Sequence, residues 1–318
     1  RARNNGKPGR RAVAVSRRPN SGTCTGSISD YDLKLDAIAS GIVGRKHTST
    51  ELSDNYKVTL RIKNLDDVPS SSYTVSYKLN SNDWVSEQVS VPILGVSIYN
   101  HTFSKAEDLS ALGSYTLLAA VAAHAPDKVK SNDTLFTTLR QLDNQAINLM
   151  YPFIDSFKNA SVTEYTKDTM GLAGIDRYDF ADNSSYGSLN INVNSFNGSK
   201  SLYFNPKIIT STSSGLQSVT GTYNLQGYDA NVNDVRLSFK GFLSFEPNPE
   251  NKLWVRGSDE QDWIELLDFK QFTFRDYSFM NIELSDSLLK YGQNFSSSFQ
   301  LRWRKSPGEK SFAISNIS

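Results

Sequence analysis

Along most of this chain apolar residues recur at every second position, and that period decides what the chain can fold into. Tyr56 to Ile62 (YKVTLRI), Tyr73 to Leu79 (YTVSYKL), Val96 to Phe103 (VSIYNHTF) and Phe299 to Trp303 (FQLRW) all alternate. Such alternation, rich in Val, Ile, Thr and aromatic residues, predicts half-buried strands. Turn chemistry separates the segments, at 64–72 (NLDDVPSSS), 79–84 (LNSNDW), 197–200 (NGSK) and 246–251 (EPNPEN). Only Thr137 to Met150 and Ser285 to Tyr291 carry helical spacing, with a bent connector as the alternative for either. The expectation is an all-β protein built as at least two sandwiches.

The chain has 318 residues, enough for two sizeable cores. Residues 28–140 hold some seven short strands, the length and count of an immunoglobulin-like sandwich without its paired cysteines. Residues 141–318 space their strands more widely, as in a jelly roll. Residues 1–27 carry seven basic side chains and no acid, broken by Asn, Gly, Pro and Ser as in a linker. The other 291 residues hold 27 basic against 33 acidic side chains, a net of −6. A body of that sign repels phosphate, so nucleic acid is not the expected partner of the arm.

No apolar run approaches the roughly 18 residues of a membrane helix, so the chain is not expected to span a membrane. It begins with Arg and shows no leader segment, and is expected to be a piece of something longer. With Cys24 its single cysteine, it forms no internal disulfide.

Asn251 to Phe269 (NKLWVRGSDEQDWIELLDF) packs two of the four tryptophans and five acidic residues into nineteen positions. Alternation puts Leu253 and Val255 on one face and Trp254 on the other, with a polar loop from Gly257 to Asp262. A hairpin is therefore expected, with Asp259, Glu260 and Asp262 solvated at its tip rather than buried as a general acid is. Asp176, Asp179, Asp182 and Asn183 stand close enough in sequence to offer oxygens to calcium, although the EF-hand spacing is absent. A solvated acidic loop is the alternative, and no other cofactor is implied. Trp84, beside a turn, and Trp303, between two arginines, are the tryptophans expected to be partly exposed as a sugar platform. The three histidines share no ligand spacing, and no zinc, nucleophile-elbow or phosphate-loop motif occurs.

Residues YDLKLDAI (31–38), VTLRIKNLDDVPSSSYTVSYKLN (58–80), TFSKAEDLSALGSYTL (102–117) and SNDTL (131–135) resemble the CARDB-like immunoglobulin modules of exported Bacteroidetes proteins. In that pattern Gly113 relieves a turn, Leu109 and Leu112 plug the end of the sandwich, and Asn132-Asp133 cap the closing strand. GIDRYDF (174–180), SLYFNP (201–206), LWVRGSDEQDWIEL (253–266), GQNFSSSFQLRW (292–303) and FAISNIS (312–318) resemble the jelly rolls that follow such modules in type IX secretion substrates. Asp133-Thr134-Leu135, Asp168-Thr169-Met170 and Asp286-Ser287-Leu288 match the O-glycosylation motif of such proteins.

The resemblance implies a secreted or outer-surface location. It also implies partners among export or anchoring proteins of the cell envelope, or a surface polysaccharide. The expectation is a non-enzymatic adhesion or recognition piece. Accessory domains of a secreted hydrolase, and a carbohydrate-binding module in its own right, stay open as alternatives.

Overall fold

In the computed structural model, the described residues are 30–39, 52–124, 126–161, 163–182, 187–192, 200–206, 216–243, 251–271, 278–306 and 312–318. The basic arm, Cys24 and Asn183 lie outside them.

The first seven strands are β1 (Leu33–Ile38), β2 (Tyr56–Asn64), β3 (Tyr73–Leu79), β4 (Val85–Val89), β5 (Ile98–Glu107), β6 (Gly113–Ala123) and β7 (Thr134–Gln141). They form two antiparallel sheets, ordered β1-β2-β5 and β4-β3-β6-β7. This is an immunoglobulin-like arrangement in which the fourth strand has joined the second sheet. β2 shows why these segments are strands: Tyr56, Val58, Leu60 and Ile62 point into the core while Lys57, Thr59 and Arg61 face outward.

A tyrosine corner closes the unit, the Tyr115 hydroxyl donating to the Ala111 carbonyl four residues upstream at 2.7 Å. Gly113 takes φ +140° beside it, a backbone region that favours glycine. Of the two leucines expected to plug the end, Leu109 is buried, but Leu112 is 54% exposed.

The second unit contains β8 (Glu164–Tyr165), β9 (Tyr178–Asp182), β10 (Gly187–Asn192), β11 (Ser201–Pro206), β12 (Gln217–Tyr223) and β13 (Arg236–Leu243). After these come β14 (Lys252–Arg256), β15 (Ile264–Asp268), β16 (Ser278–Glu283), the short helix α1 (Ser285–Leu289), β17 (Phe299–Lys305) and β18 (Phe312–Ser315). Six strands, β16-β13-β18-β11-β10-β8, lie against five, β15-β14-β17-β12-β9. The core between them holds Phe180, Phe204, Phe239, Phe299, Trp303 and Phe312, separate from the core of the first unit. The molecule is all-β, a smaller sandwich followed by a larger one of jelly-roll type.

Of the two segments with helical spacing, one is a strand running into a connector and the other a short helix. Thr137 to Gln141 belongs to β7, where Leu139 and Gln141 are buried and the strand pairs with β6 along its length. Two adjacent β-branched threonines and an open strand edge outweigh the local helical spacing. Ser285 to Leu289 is helical, and Gly292 follows it at φ +68°.

Candidate functional site

The hairpin of β14 and β15 forms as the alternation requires. Leu253 and Val255 are fully buried while Lys252, Trp254 and Arg256 face outward on their sheet. β17 lies beside β14 in register, pairing Lys252 with Arg304, Trp254 with Arg302 and Arg256 with Gln300. β12 continues these rows with Ser218, Thr220 and Thr222. One sheet face therefore gathers three arginines, a lysine, two indoles, an amide and hydroxyl groups.

Trp263, just before β15, is the centre of this face. The Arg302 guanidinium lies 3.9 Å from its ring centroid and that of Arg256 lies 4.4 Å away. Arg256 also donates to Gln300 Oε1 at 2.7 Å and to the Asp259 carbonyl at 2.7 Å. Arg302 donates to Thr220 Oγ1 at 3.1 Å, and no ion pair joins it to a carboxylate among the described residues. Burial first, then the charges of Arg256 and Arg304, pull the Arg302 guanidinium down to about 10. Both effects penalise a cation at that point, and an anion brought to the face would relieve the penalty. Lys252, at the edge, is neutralised by Glu265 at 2.7 Å.

A second concave feature, a cleft of about 410 Å³, opens between residues 153–159 and 174–177. Arg177 lies over the rings of Phe153 and Tyr223, with Asp155 3.7 Å away. Burial raises the Asp155 carboxyl, opposed by the Phe157 N–H and the charge of Arg177. Beneath them the hydroxyls of Tyr178 and Tyr223 meet at 2.9 Å. These groups satisfy one another, so the cleft is a closed polar network rather than a set of converging free groups.

The described members of the acidic run, Asp176, Asp179 and Asp182, are each engaged separately. The Asp176 carboxylate is taken by the guanidinium of Arg140 and by the Asp143 N–H. Asp179 Oδ1 accepts the Gly171 N–H at 2.8 Å. Asp182 ends β9 on the opposite strand face from Asp179, with Gln217 Nε2 at 3.4 Å. Asn183 lies outside the described residues. Among the described residues no group of three or more His, Cys, Asp or Glu side chains is placed to hold a metal ion.

The two tryptophans expected to form a sugar platform also part company. Trp84 is 47% exposed after the β3–β4 turn of the first unit. Trp303 is 0% exposed in the core of the second, edge-on to Phe239 at 6.1 Å. Its flanking arginines point outward, and strand alternation then sends the tryptophan inward. Flanking arginines suggest exposure, but the period carries the opposite signal and puts Arg302 and Arg304 outward.

No family model matches the chain, and no curated protein matches it. Among solved structures, allantoicase is similar at TM-score 0.26 and 10% identity, over 85% of this chain and 79% of that one. A Bacteroides uniformis beta-glucuronidase is similar at TM-score 0.20 and 10% identity, over 83% of this chain and 28% of that one. A second structure, of beta-glucuronidase 2 from the same organism covalently bound to cyclophellitol-6-carboxylate aziridine, gives TM-score 0.19 and 11% identity, again over 83% and 28%. Likenesses of this size fix neither ancestry nor chemistry. No helix among the described residues is long and apolar enough to cross a membrane.

Proposed function

We propose that this chain is a non-catalytic recognition piece of an exported cell-surface protein, and that its larger sandwich binds an anionic surface polysaccharide through the Trp263 face. The observation that carries the reading is the pair of guanidinium groups over one indole, with Arg302 joined to no carboxylate among the described residues. The indole holds the two guanidinium groups side by side through cation–π contact. A guanidinium offers paired donors to a carboxylate or sulfate. Gln300, Thr220 and Thr222 supply neutral hydrogen-bonding groups within the same rows. In this reading the smaller sandwich is a spacer or adhesive module, as the resemblance to CARDB-like modules implies.

The test is binding of the full chain to polygalacturonate, alginate, a neutral glucan and single-stranded DNA. The expected result is selective, salt-sensitive binding to the acidic polysaccharides. Arg302→Ala should weaken it roughly tenfold or more, the size of one charged hydrogen bond, and Trp263→Ala comparably. Equal binding to the neutral glucan, preference for the DNA, or indifference to both substitutions would overturn the proposal.

A further inference from the structure

The smaller sandwich keeps three carboxylates where its first and last strands begin. Asp32 stands immediately before β1, Asp127 lies in the β6–β7 connection, and Asp133 sits between a short 3-10 turn (Lys130–Asn132) and β7. Their relative exposures are 0%, 6% and 7%. Carboxylates that deep are expected to be fully partnered, and one of the three is. Asp127 accepts the Val129 N–H at 2.8 Å on one oxygen and the Leu33 N–H at 3.3 Å on the other.

The other two are half-satisfied. Asp32 Oδ1 accepts from Asn132 Nδ2 at 3.0 Å, while Asp32 Oδ2 has no hydrogen-bond partner. Asp133 Oδ2 lies 3.3 Å from Lys130 Nζ, while Asp133 Oδ1 has none. Asn132 Oδ1 has none either. Among the described residues, then, two buried carboxylates and the half-buried Asn132 each leave one buried oxygen without a donor.

Something positive resolves this arrangement, and two candidates differ in size. A shared proton needs two carboxyl oxygens at about 2.5–2.7 Å. No hydrogen bond joins Asp32 to Asp133; burial first, and then the charge of Asp127, raises each carboxyl. Lys130 is too peripheral to serve, its side chain being 61% exposed and meeting only the already partnered oxygen of Asp133. A metal ion spans a wider gap. The donors are two carboxylates and an amide carbonyl, all hard oxygens, with no His or Cys to suit zinc. Calcium accepts such irregular oxygen sets and fills its remaining positions with water or backbone carbonyls, whereas magnesium demands a strict octahedron.

We propose that Asp32, Asn132 and Asp133 bind a calcium ion that ties the start of β1 to the start of β7. Asp127 adds negative charge from just outside the shell while its backbone contacts hold the connection in place. The ion joins the two sheets of the smaller sandwich, because β1 belongs to one and β7 to the other. This site is separate from the Trp263 face and stands or falls independently of it.

Equilibrium dialysis and thermal unfolding of the full chain, in calcium and in chelator, test the proposal. The expected result is one calcium per chain and an unfolding transition several degrees higher in calcium. Asp32→Asn and Asp133→Asn keep side-chain size and should each weaken calcium binding at least roughly tenfold. Should those variants fail to fold, Lys130→Ala still discriminates: removing the competing ammonium should tighten calcium binding. No uptake by the unaltered chain, or uptake unchanged in both Asn variants and in Lys130→Ala, overturns the assignment. Stabilisation by acid without calcium uptake overturns it too, by placing a proton in the gap.

Discussion

Lys305 closes β17 at 4% exposure, and among the described residues its ammonium donates to the Ser306 carbonyl at 3.0 Å. Burial pulls it down to about 8 from an ordinary lysine value. The unfolded chain therefore holds this proton more tightly than the folded one. The charge costs stability in full below pH 8, and the cost fades as pH rises from about 8 towards the unfolded value near 10.4. By about 1.4 kcal/mol for each tenfold change in proton affinity the cost reaches up to about 3 kcal/mol. Lys305→Met should raise the unfolding temperature at pH 7 and flatten the rise in stability between pH 8 and 10, both read from denaturation curves across that range. An equal slope in the variant would show that another group titrates there. At the residue scale the sequence shows some orientations and hides others. Period two was enough to bury Trp303 and expose Arg302, but nothing local shows that Trp263 lies beneath the side chains of β14 and β17. That depends on a register between segments almost fifty residues apart.

At the scale of elements, the Trp263 face depends on how the β14–β15 hairpin seats on the segment before β17. Gly257 makes the seat. Its N–H donates to Gln293 Oε1 at 2.8 Å and its carbonyl accepts from Ser296 Oγ at 2.6 Å. A Cβ there would stand 2.1 Å from the Asn294 carbonyl oxygen, a backbone atom with little freedom to retreat. Gly257→Ala should destabilise the protein by about 3 kcal/mol, the upper part of the usual overpacking range, and should weaken ligand binding by displacing Arg256. Gly227→Ala, which meets nothing within 4 Å, should change stability by less than about 0.5 kcal/mol. Denaturant titration of the two variants checks the contrast. The strands, the hairpin and the turn glycine Gly113 are legible in the sequence because they obey short-range rules, whereas the seat at Gly257 depends on a distant segment. The conformation of Thr137–Gln141 is settled by its partner strand, not by its own spacing.

Across the whole molecule, two separate cores meet at a short polar seam. Arg140, in the last strand of the smaller sandwich, grips Asp176 and also donates to the Gly171 carbonyl at 2.6 Å. Asn144 donates to the Ser297 carbonyl and accepts from Asn224 through its own carbonyl. Each sandwich has enough apolar burial of its own to unfold as a unit, so these ties set how closely the two transitions coincide. Arg140→Ala should spread or split the calorimetric transition while leaving the higher component nearly unmoved. A single sharp transition in that variant would mean that other contacts couple the units. The two-sandwich plan was visible in strand spacing, whereas the seam was not, since Asp176 looked like one member of an acidic loop. The larger sandwich carries a further consequence for the order of assembly. β18 pairs with β13 on one side and β11 on the other, at the middle of its sheet. Until Phe312–Ser315 arrives, that sheet is two fragments with raw edges facing each other. A ribosome making this chain from its N-terminus hands over the central strand of that sheet after all the others, so the larger sandwich closes only once Phe312–Ser315 has emerged.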